Sequence, residues 1–176
     1  AVYLGAAIEM TSEDLLPEMF DGYKYFHIEG YLVQNHDLIR RAVEIAHAKG
    51  LKISLDMASY NVVEDNREFL KEIIEKYVDI VFANEEESKA FTGKSPEESL
   101  EILSGMVSIA VVKLGSSGSL IKRGEERVDV GVIDVDCIDT TGAGDLYASG
   151  FIYGLIKNLP LHKCGQIGAV LSGHVI

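Results

Sequence analysis

The sequence predicts a three-layer α/β sandwich, a mostly parallel sheet with helices on both faces and an antiparallel hairpin at one margin. Three observations carry this expectation. Short β-rich runs alternate with longer segments of 3.6-residue period along the whole chain, the pattern of repeated βαβ units. The run from Ile109 to Val112 is almost wholly apolar, as a strand covered on both faces must be. Turn residues at Ser116 to Gly118 and at Gly124 to Glu126 each separate two extended runs, which implies antiparallel pairing at the sheet's margin.

Taken in order, residues 1–8 read as an opening strand. Thr11 to Asp14 is a helix-start signal, a hydroxyl placed to accept from nearby amides, and predicts a short helix to about Phe20. Residues 25–28 read as a strand. Asn35 then caps a helix whose Leu38, Ile39, Ala42, Val43 and Ala46 share one face, with Gly50 as its terminator. A strand over 51–55 ends at Asp56; a helix over 63–77 and a strand over 78–83 follow, the latter stopping at Asn84. Ser95 to Glu98 is a capping box with Pro96 at the first helical position, so a helix runs to about Leu103. From Gly142 the chain reads as helical to about Lys157, and Pro160 opens a second helix.

At ~150 residues per domain, 176 residues amount to one domain over 1–176, and both ends look cut: no Met opens the chain, and the C-terminus breaks off within a helix-like pattern. Hydrophobic content of 47% with 25% charged residues argues against disorder. The net charge of −12, with no basic block, argues against nucleic acid and anionic membranes as partners. No apolar run reaches the ~20 residues of a spanning helix, and no secretory signal opens the chain. Cys137 and Cys164 form neither a disulfide framework nor a metal-ligand pair; they read as small core residues of a reducing compartment, the cytoplasm by default.

Chemistry concentrates in Asp139 to Asp145, Asp-Thr-Thr-Gly-Ala-Gly-Asp, followed by an apolar helix. Two glycines near a helix start each cost about 0.5–1 kcal/mol relative to Ala, which suggests a backbone that something approaches closely. There the first amides lack intrahelical partners and the macrodipole is positive, so Gly142, Ala143 and Gly144 offer N–H donors to an anion such as phosphate. Asp145 sits beside that cradle, where dipole and amides keep it ionised, able to take the proton of a hydroxyl attacking phosphorus. A plain helix cap would explain one Thr and one Asp; it does not explain two glycines and a second acid at Asp139.

This heptad resembles the C-terminal signature of the PfkB family of ribokinase-like carbohydrate and nucleoside kinases. The resemblance implies that Asp145 is the catalytic base and that the amides of Gly142, Ala143 and Gly144 form the anion hole for the phosphoryl group. It implies Asp139 and Thr141 as ligands of a monovalent cation such as K+. Asn84 to Glu87 is similar to the family's Asn-x-x-Glu element, which implies Asn84 near the nucleotide phosphates and Glu87 holding magnesium through water. Residues 111–118 are similar to the family's nucleotide loop, with Lys113, Gly115, Ser116 and Gly118 as contacts. The implied activity is ATP-dependent, Mg2+-assisted phosphorylation of a hydroxyl on a sugar or nucleoside-like small molecule. The match corresponds to the later part of the family's domain, without the N-terminal strands and lid that carry sugar contacts and often a homodimer interface.

Other readings are weaker. A non-catalytic nucleotide-binding or interaction module derived from the same fold is the alternative. Walker A and G-x-G-x-x-G patterns are absent, which removes the main support for P-loop and dinucleotide-binding readings. His27, His36, His47, His162 and His174 show no metal-ligand spacing. Tyr23, Tyr25, Phe26, Phe69 and Tyr77 read as core or surface residues. Asp56 either borders the site or caps the following turn.

Overall fold

The computed structural model describes residues 5–176. Six strands form one sheet in sequential order: β1 (Tyr25–Glu29), β2 (Lys52–Asp56), β3 (Ile80–Asn84), β4 (Ile109–Lys113), β5 (Ser119–Arg123) and β6 (Glu126–Val130). The first four are parallel; β5 and β6 return antiparallel, as the two turn signals require. The helices are α1 (His36–Ala48), α2 (Tyr60–Asp65), α3 (Arg67–Tyr77), α4 (Glu85–Thr92), α5 (Pro96–Ser104), α6 (Ala143–Ile156) and α7 (Leu161–Gly173).

Right-handed crossovers between neighbouring parallel strands place every intervening helix on the same side. Accordingly α1 to α5 pack against Ile28, Ile53, Leu55, Val81, Ala83, Ala110 and Val112, while α6 and α7 cover the opposite face through Phe82, Val111 and Ile121. Phe82 and Phe151 are fully buried edge to face, 5.5 Å between ring centroids, and burial of each stabilises by ~1.5–3 kcal/mol. Among the described residues no helix is long and apolar enough to cross a membrane.

Local signals fixed most boundaries. The Asn35 side chain accepts from the Leu38 amide, and Ser95 and Glu98 close their capping box. Four expectations fail. Cys137, read as a core residue, is exposed, while Cys164 is buried. Residues 5–8 of the expected opening strand fall instead in a 3-10 turn over Gly5–Glu9, entered through Gly5 at φ +56, and residues 1–4 lie outside the described residues. Thr11 and Asp14 do cap each other, yet only 3-10 turns follow, because Pro17 cannot donate and leaves Leu16 extended. The helix expected over 63–77 starts earlier and breaks at Asn66, whose side chain donates to the Val62 carbonyl and competes with the helical ladder.

Candidate functional site

The parallel strands end in polar groups on the face that carries α6. Glu29, Asp56, Phe82 and Val111 stand level across β1 to β4, and one step on Asn84 pairs with Lys113. Phe82 and Val111 belong to the core beneath α6, and side chains alternate along a strand, so Glu29, Asp56, Asn84 and Lys113 cap that core. Open α/β sheets bind ligands at this edge.

Asp56 caps the turn that follows β2 and pairs with Lys113. One carboxylate oxygen accepts from the Ala58 amide at 3.1 Å, fixing a turn in which Ala58 takes φ +64. The other accepts from the Lys113 ammonium at 2.7 Å, in a pair whose side chains are only 8% and 16% exposed. At Gly30, where β1 ends, a Cβ would lie 2.3 Å from the Asp56 carbonyl oxygen, so the two chain segments touch.

Above this edge stands the first turn of α6. Gly142 opens the helix at φ +79, so its glycine answers a left-handed backbone; nothing lies within 4 Å of its missing Cβ. Gly144 answers a close approach instead: its Cβ would stand 3.1 Å from the Lys113 Nζ and 3.9 Å from the Asp56 carboxylate. Of the three amides proposed to hold an anion, that of Ala143 donates to the Thr140 carbonyl at 3.1 Å. Among the described residues no acceptor meets the amides of Gly142, Gly144 or Asp145. The free donors are therefore those on either side of Ala143, and Asp145 is exposed beside them. Two residues along, the buried Tyr147 hydroxyl is hydrogen-bonded to Ser119 Oγ at 2.6 Å, which ties α6 to β5. Burial pushes that phenol up to about 12.

Asp139 and Thr141 are engaged with each other. One Asp139 oxygen accepts from the Thr141 amide at 2.9 Å and from its hydroxyl at 2.8 Å, and these bonds hold the carboxyl below its ordinary range. Among the described residues no three His, Cys, Asp or Glu side chains converge as metal ligands.

Asn84 and Glu87 form a reciprocal cap at the start of α4: the Glu87 amide donates to the Asn84 side chain, and both Glu87 oxygens accept from Asn84, at 2.8 and 2.7 Å. Glu85 and Glu86 are exposed, whereas Glu87 is 2% exposed. Burial, reinforced by the Asp56 carboxylate and opposed by Lys113, pushes its carboxyl up to about 7. In the glycine loop, residues 115–117 make a 3-10 turn, and Gly115 and Ser116 are exposed. Gly118 takes φ +94 with the Val130 carbonyl 2.0 Å from where a Cβ would stand, so this glycine is demanded by the hairpin itself.

Two residues of the corner were not anticipated. The Glu29 carboxyl is raised by burial, against the Tyr31 amide that it accepts from, and the charges of Asp56 and Asp145 add to the rise. His27, bonded to Ser54 at 2.9 Å, is held low by burial although Asp56 and Asp145 favour its charged form. Only their place at a strand's carboxyl end marked them. A cleft of about 500 Å3 lies at the other end of the sheet, against Tyr25, Lys52, Ile80, Ile109 and Leu155, and is lined by none of Asp56, Glu87, Lys113 or Asp145.

The family model described as pfkB family carbohydrate kinase matches residues 1–176. A cytidine kinase of Thermococcus kodakarensis is 30% identical over 182 aligned positions, covering 99% of this chain and 63% of that protein. An ATP-dependent 6-phosphofructokinase of Thermoanaerobacterium thermosaccharolyticum is 36% identical over 112 residues, 62% of this chain and 34% of the relative. In structure, the adenosine kinase of Sinorhizobium meliloti superposes with a TM-score of 0.92 at 37% identity, over 99% of this chain and 55% of that one. The chain thus spans from a third to under two thirds of the length of these relatives.

Proposed function

The chain belongs to the pfkB carbohydrate kinase family, and on that premise we propose that its parent protein uses ATP to phosphorylate a hydroxyl of a sugar or nucleoside-like molecule. The observation that carries this reading is the exposed Asp145 carboxylate beside the unmatched amides of Gly144 and Asp145, with the Lys113 ammonium against the same turn.

The residues fit a polyphosphate: a Cβ at Gly144 would press on Lys113, and the helix start presents donors and the positive end of its dipole. In the reaction proposed, Asp145 accepts the proton of the acceptor's hydroxyl as oxygen attacks phosphorus. The amides of Gly142 and Gly144 meet charge on the transferring group, and Ala143 contributes by holding their spacing through its bond to Thr140. Lys113, and Asn84 at the end of β3, face the nucleotide phosphates, with Gly115, Ser116 and Gly118 forming the loop beside them. Magnesium, when bound, would neutralise phosphate charge; the resemblance assigns it to Glu87 through water, although Asn84 already holds both oxygens of that buried carboxyl. Asp139 and Thr141 are the groups for a monovalent cation. The names of the relatives support the reading, since they include cytidine, adenosine and ATP-dependent phosphofructose kinases.

The test is Asp145→Asn in the parent protein, assayed by acceptor-dependent ADP release over a panel of sugars and nucleosides. Turnover should fall by roughly 10²–10⁴ while nucleotide affinity is kept. Near-native turnover would defeat the assignment of the base. A second reading is a nucleotide-binding or interaction module without turnover. Mg-ATP binding without release for any acceptor would select it.

A further inference from the structure

The corner gathers more negative charge than an anion cradle needs. The charges of Asp56 and Asp145 bear on Glu29, that of Asp56 bears on the buried Glu87, and the cation among them, Lys113, is already held by Asp56. The pair is fixed on both sides. Asp56 is anchored through the Ala58 amide, and both partners border the missing Cβ of Gly144, at 3.1 and 3.9 Å. The ammonium charge beside the open amides is therefore compensated before any ligand arrives.

Resting on the nucleotide-site reading above, we propose that Asp56 is a specificity-determining residue, which makes this corner select a metal-complexed polyphosphate over bare anions. A helix start with an unpaired lysine would attract any phosphate, free nucleotide included. A fixed carboxylate beside that lysine cancels the attraction. Its repulsion grows with ligand charge, so it opposes uncomplexed ATP more than the less charged magnesium complex. With so little of the pair in contact with water, salt screens the effect weakly.

Calorimetric titration of the chain with ATP in the presence of EDTA, and with Mg-ATP, tests this. Asp56→Asn keeps an oxygen for the Ala58 amide while removing the charge. It should tighten free ATP about tenfold, or about 1.4 kcal/mol, and Mg-ATP by less, so that the preference for the complex shrinks. Lys113→Met leaves Asp56 uncompensated and should weaken free ATP more than Mg-ATP. A merely structural role would change both ligands by the same factor, and an unaltered preference in Asp56→Asn overturns the proposal, as does tighter free-ATP binding in Lys113→Met. If the native chain binds no Mg-ATP, the nucleotide-site reading itself fails and takes the inference with it; native binding with an unchanged preference sinks the inference alone.

Discussion

Replacing Glu87 by Gln removes a charge while nearly keeping shape, and its effect on stability should depend on pH. The carboxyl is 2% exposed, and burial first, then the Asp56 carboxylate, raise its pKa from 4.5 to about 7 in the folded protein. Because the folded state holds the proton more tightly than the unfolded chain, the stability this group contributes is complete below about pH 4.5. It is lost as pH climbs through about 7. At about 1.4 kcal/mol per pH unit the whole effect is roughly 3 kcal/mol, of which roughly 2.5 kcal/mol falls between about pH 5 and about pH 8. Gln, in turn, puts an N–H group where either form of the carboxyl sets an oxygen against an Asn84 donor, a loss of about 1–3 kcal/mol at either pH. Glu87→Gln should therefore be the less stable protein near pH 5 and close to its parent in stability near pH 8. Urea unfolding of both proteins at both pH values measures this, since the difference between them cancels every other titration. A stability gap that stays constant with pH, or widens toward alkaline pH, refutes the reasoning.

Two further substitutions probe the packing around the corner. Gly144→Ala places a methyl 3.1 Å from the Lys113 ammonium, the mobile end of a long side chain. The better helix propensity, about 1 kcal/mol, should offset the displacement, leaving the melting temperature nearly unchanged. Mg-ATP affinity should nonetheless fall about tenfold by calorimetry, and unchanged affinity would show that the cradle is not there. Gly30→Ala meets backbone instead, the Asp56 oxygen at 2.3 Å and the Met57 carbonyl carbon at 2.8 Å. It should cost about 3 kcal/mol or more, a drop of roughly 6–12 °C in Tm by scanning calorimetry; a drop under about 2 °C would mean the strand ends part easily.

What could be read in the sequence was local in the chain. Asn35 with Leu38, and Ser95 with Glu98, are caps whose donor and acceptor lie three residues apart, and they fixed the starts of α1 and α5. The same kind of signal at Thr11 misled because Pro17, a few residues on, denied the helix its continuation. Asn66 reads as a helical position by period, yet its side chain prefers the Val62 carbonyl, a competition periodicity does not register. The turn proposed to face phosphate stood out because all its parts fall within Asp139 to Asp145. That Ala143 spends its amide on Thr140 depends on the left-handed backbone of Gly142, which residue identity alone leaves open. The Asp56 and Lys113 pair joins residues 57 apart, and Glu29 enters the corner through strand register; neither leaves a periodic trace.

The bond between Tyr147 and Ser119 sits two positions past Asp145, in the dry interior, where neither partner has water to turn to. On the function proposed above, Asp145 thus rides on a post bolted to the floor beneath it. For the reaction proposed, the acceptor would be carried to a carboxylate that stays put, since this bond fixes the first turns of α6 to the sheet.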